Sequence, residues 1–109
     1  MTEILVERTG TGAYTGFSCK GHSGYAEAGS DIVCAAISVL VINTINSIDR
    51  FTDDEMTVEE REDDGMMTVR FAGATSERAS LLLDSMVLGL QEVRKQYGYR
   101  YLKLQFEEV

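Results

Sequence analysis

Between Ile32 and Ile42 the only polar residue is Ser38. A run this apolar has to be covered by something, and the need to cover it constrains the fold more than any other feature of the chain. Taken alone, the run is broken by Ser38 and too short to span a bilayer, which takes about 20 apolar residues in a helix. Its many β-branched residues would suit a strand. Its continuation through Ile45 and Ile48, with the N-cap candidates Ser30 and Asp31 at its head, favours a helix ending near Asp49. Apolar side chains fall on nearly every face of that helix, so it is expected to be buried.

The rest of the chain supplies the cover. Ile4 and Val6 alternate with Leu5 and Glu7, Thr9 to Gly12 reads as a tight turn, and Ala13 to Cys19 alternates again. These segments predict a β-hairpin. Met56 to Arg61 and Met66 to Phe71 predict a second hairpin around the strong turn signal Asp64-Gly65. Thr75 is placed to cap a second helix, in which Ala79, Leu82, Leu83, Met86, Val87, Leu90 and Val93 share a face and Gly98 closes the end. Tyr99 to Phe106 predicts a last strand, with Leu102, Leu104 and Phe106 on one side. The order ββαββαβ implies an α+β two-layer sandwich: a mixed or antiparallel sheet covered by two helices. With 109 residues and no linker-like segment, residues 1–109 are read as one domain.

Charge and cysteine content narrow the function. A net charge of −8 lacks the basic stripe of a nucleic-acid binder, so no direct nucleic-acid binding is expected. Met1 to Arg8 carries two acids and alternates like a strand, unlike a signal peptide. Two cysteines, Cys19 and Cys34, make no disulfide framework and fit a reducing compartment. The protein is therefore read as cytoplasmic, with no membrane partner. One histidine and two cysteines give no metal-ligand spacing, and no cofactor is expected.

The chemistry concentrates in residues 21–36. Gly21 to Gly29 holds three glycines and the only histidine, His22, and reads as a mobile loop, with Ser23, Gly24, Tyr25 and Gly29 as its characteristic residues. Twelve residues after His22, Cys34 falls in the first turn of the apolar helix. There the positive end of the helix dipole, and backbone N–H groups that the helix itself does not use, favour a thiolate. An imidazole nearby can protonate a leaving amine, and the same N–H groups can hold an oxyanion. Plainer readings compete. A cysteine in an apolar helix often simply fills a core, and a histidine among glycines often sits on a surface loop. The residues alone leave both readings open. Asp31 serves as a helix cap or as a third residue orienting His22. Ser38, one turn after Cys34, either supports the site or bonds its own i−4 carbonyl. Cys19 has no evident partner and is read as structural. Asp49 to Asp64 carries nine acids, read as a solvated surface or as a dock for a basic substrate.

Gly21-His22 together with Asp31-Ile32-Val33-Cys34-Ala35-Ala36, followed by Ser38, resembles the ribosomal-processing cysteine proteases, the Prp family. The resemblance extends over essentially the whole chain. It implies a cysteine endopeptidase that removes a short N-terminal extension from a large-subunit ribosomal protein, number twenty-seven, during ribosome maturation. It assigns Cys34 as nucleophile and His22 as general acid and base, with Gly21 beside them, and it implies a homodimer with a mobile loop over the site. Two rival readings remain at this point. One is a non-catalytic ribosome-assembly factor that binds the same protein. The other is a redox sensor that pairs Cys34 with Cys19.

Overall fold

The computed structural model describes residues 1–21, 32–61 and 65–109. Strand β1 (Thr2–Arg8) turns back into β2 (Tyr14–Lys20), and the register runs from Glu3 opposite Lys20 to Arg8 opposite Tyr14. Helix α1 (Ile32–Phe51) follows, then the hairpin β3 (Met56–Arg61) and β4 (Met66–Phe71), helix α2 (Glu77–Tyr97) and β5 (Leu102–Glu108). The sheet order is β3-β4-β2-β1-β5. All neighbours are antiparallel except β1 and β5, so the sheet is mixed. The expected α+β sandwich and its element order are what the structure shows.

The core lies between one sheet face and the two helices. Ile4 and Val6 of β1, Phe17 of β2, Val69 of β4 and Leu102 of β5 form the floor. Val33, Ile37, Val41 and Ile48 of α1 and Ala79, Leu83, Met86 and Leu90 of α2 form the roof. All of these side chains are at most 2% exposed. Each large one contributes on the order of 2 kcal/mol by leaving water.

Several local expectations are corrected. Helix α1 buries one face, not nearly every face: Ile32, Val39 and Ile42 are 51%, 66% and 52% exposed. Two layers can cover only one side of a helix, so the opposite side stays bare whatever its composition. The helix also runs on to Phe51. At 20 residues with a mean hydropathy of 1.8, it is by length and composition long and apolar enough to cross a membrane, which the shorter run to Ile42 was not. Here its inner face packs into the core.

The cap of α2 is Ser76, one residue after Thr75. Its hydroxyl accepts the N–H of Ala79 at 3.1 Å. Asp54 holds that cap from outside, accepting from both the N–H and the hydroxyl of Ser76 at 2.8 and 2.6 Å. These bonds keep the Asp54 carboxyl below its ordinary range. Gly98 does close α2, with φ +113 and its N–H donated to the Arg94 carbonyl. The last strand starts at Leu102, because Tyr99 to Tyr101 turn the chain back toward the sheet. Of the expected turn Asp64-Gly65, Gly65 is in place with φ +63, and Asp64 lies outside the described residues.

Candidate active site

The candidate site forms where β2 stops and α1 starts. Alternation along β2 sends Phe17 and Cys19 to the same sheet face, and Phe17 is core. The register places Cys19 between Ile4 of β1 and Met67 of β4. Above this floor runs the first half of α1. Cys34 lies in its first turn and is partly buried. Ser38, Val41 and Ile42 continue the same side of the helix at helical spacing.

Between floor and helix is an open cavity of about 360 Å³. Cys34, Ser38 and Gly21, all singled out from the sequence, line it. His22, Ser23, Gly24, Tyr25, Gly29 and Asp31 lie outside the described residues. His22 follows Gly21 directly in the chain.

Gly21 is required where it stands. Its φ is +85, and a Cβ there would lie 2.9 Å from the Met1 carbonyl oxygen. A Cβ on Gly65 would lie 3.9 Å from the Gly21 nitrogen, so the residue before β4 adjoins the end of β2.

Sequence reasoning missed the other walls. Met66 and Met67 of β4 and Arg61 of β3 close the side opposite Cys34. They are about 30 residues away in the chain and enter only through the pairing of β4 with β2, which no local pattern announces. Cys19, read as structural, also lines the cavity that holds Cys34. Burial first, and then the charge of Cys34, push the Cys19 thiol up to about 11, so it stays protonated at neutral pH.

The arrangement suits nucleophilic chemistry. The positive end of the α1 dipole favours negative charge in the first turn, where Cys34 sits, and an open cavity gives a substrate access to it. The apolar wall of Val41, Ile42, Met66 and Met67 suits an apolar side chain. Among the described residues no group of three or more His, Cys, Asp and Glu is placed to hold a metal. The acidic stretch behaves mainly as a solvated surface: Asp49, Asp53, Glu55, Glu59 and Glu60 are exposed, while Asp54 serves the α2 cap.

Comparisons with known proteins agree with one another. The family model described as cysteine protease Prp matches residues 1–102. The ribosomal processing cysteine protease Prp of Staphylococcus aureus is 28% identical over 87 residues, covering 80% of this chain and 82% of that protein. The Bacillus subtilis protein of the same name is 25% identical over 101 residues, covering 89% and 90%. The crystal structure of S. aureus Prp with a covalently linked product peptide has the same fold, with a TM-score of 0.92 and 24% identity, over 98% of this chain and all of that one.

Proposed function

Because the chain belongs to the Prp family of cysteine proteases, which process ribosomal protein, we propose that it removes the N-terminal extension of large-subunit ribosomal protein number twenty-seven. Cys34 is the nucleophile and His22 the general acid and base. The observation that carries this reading is the placement of Cys34, in the first turn of α1 and on the wall of an open cavity that begins at Gly21.

The steps follow from that placement. The Cys34 thiolate attacks the scissile carbonyl carbon, and N–H groups at the head of α1 hold the oxygen as it becomes negative. The carbon–nitrogen bond breaks as His22 gives its proton to the leaving amine. Water then attacks the thioester, with His22 taking its proton, and the free carboxylate departs. Asp31 steadies the helix head or His22, and Ser38 and Gly21 shape the wall beside the sulfur. Val41, Ile42, Met66 and Met67 receive an apolar side chain of the substrate.

The exposed acids of residues 49–60 attract the basic body of a ribosomal protein. The bare apolar side of α1 supports pairing with a second copy of the chain. Two cysteines in reduced form support a cytoplasmic setting.

The test is mass spectrometry of a peptide spanning the extended N-terminus of that ribosomal protein, incubated with wild type, Cys34→Ala and His22→Ala. Cleavage by wild type alone is expected, with both variants lower by about a thousandfold or more. Cleavage by Cys34→Ala at the wild-type rate would overturn the mechanism.

A further inference from the structure

The catalytic scheme leaves one nucleophilic group of the cavity unused. Cys19 sits on the sheet face beneath α1, in register with Ile4 and Met67, and lines the same cavity as Cys34. Cys34 also helps to push the Cys19 thiol up, after burial. Their chain positions differ by 15, and the fold brings both to the lining of one cavity. The cavity is open, so a small oxidant reaches it.

We propose that Cys19 and Cys34 form a reversible disulfide within one chain when the protein meets a hydroperoxide, and that this bond switches the protease off. The chemistry balances in two steps. The Cys34 thiolate attacks a peroxide oxygen; the O–O bond breaks, hydroxide leaves, and the sulfur is oxidised to sulfenic acid. The Cys19 sulfur then attacks the Cys34 sulfur; the S–S bond forms and the S–O bond breaks. The departing hydroxide takes the Cys19 proton and leaves as water. A dithiol reductant reverses the result by thiol–disulfide exchange.

The two thiols have unequal parts. Cys34, at the head of a helix, meets the oxidant. Cys19 stays protonated at neutral pH, so it meets the oxidant more slowly and resolves the sulfenic acid from within the same cavity. Capture as a disulfide also protects Cys34 from the sulfinic state, which a thiol reductant does not reverse. The loss of proteolysis rests on Cys34 being the nucleophile, as proposed above; the bond itself does not.

The experiment treats the full chain with hydrogen peroxide, blocks remaining thiols and reads the intact mass without reductant. Wild type is expected to lose two hydrogen atoms. A tryptic map is expected to join residues 9–20 to residues 21–50. Peptide cleavage falls about tenfold or more and returns with dithiothreitol. Cys19→Ser and Cys19→Ala, each normalised to its own untreated rate, form no such species. They gain two oxygens on Cys34 and do not recover. Two variants are used because either substitution alone disturbs a packed strand. Wild type that gains two oxygens on Cys34 as fast as the variants, or that joins two chains instead of one, would overturn the proposal. If untreated wild type cleaves no peptide, the proposed function fails, and the mass measurement still decides the disulfide.

Discussion

Cys19 and Cys34 line one cavity, and the Cys19 thiol has a pH signature. The Cys19 thiol is raised from 9.0 to about 11 by burial and by Cys34, so the folded state favours its neutral form. Its contribution is fully present below pH 9 and is lost as pH rises toward 11. Wild type is therefore expected to lose on the order of 2 kcal/mol across that window, and Cys19→Ala to lose less, by urea denaturation at stepped pH. Gly21 makes a second test. Gly21→Ala forces a side chain into a left-handed backbone beside the Met1 carbonyl. It is expected to destabilise by about 1–2 kcal/mol and to slow peptide cleavage, because His22 follows directly. Order and spacing make Cys34 and Ser38 candidates and leave their roles open; the family resemblance is what brings Gly21 beside them. The company of Cys19 was not legible, since it depends on which strand lies beside β2.

The elements show where local pattern suffices. Alternation and turn residues predict both hairpins because each pairs with its neighbour in the chain. The caps follow from side-chain chemistry, though Thr75 and Ser76 are equally good candidates by type. What selects Ser76 is Asp54, 22 residues earlier, which grips its hydroxyl and its N–H. Ser76→Ala is expected to lower stability by about 1 kcal/mol in thermal unfolding. Asp54 adds a pH term of the opposite sign to that of Cys19. Its carboxyl is held below 3.8, so its contribution is present above that value and is lost as pH falls through the folded value. Tyr99 to Tyr101 misled because tyrosines favour strands in general, whereas here they follow the helix-ending Gly98 and spend themselves in a turn.

At the scale of the molecule, composition and topology answer different questions. The apolar helix demanded cover, and the sheet and α2 provide it on one side only. Ile32 and Val39 on the other side are expected to meet a second copy, so Val39→Asp should shift the mass in light scattering toward the monomer. The acidic surface belongs to this scale too. Cleavage of a basic, full-length substrate is expected to lose kcat/KM as salt rises, while cleavage of a short neutral peptide stays level.

The single parallel pairing, β1 with β5, matches Thr2 to Leu102 and Ile4 to Leu104. Partners a hundred residues apart meet late during synthesis. On a translating ribosome β1 emerges first among the strands, and one of its two edges waits for β5 while both hairpins and both helices are made. β1 carries Ile4, which pairs with Cys19 on one side and with Leu104 of β5 on the other. The sheet is thus held at β1 by its most distant partner, and loss of β5 would bare the edge beside Ile4.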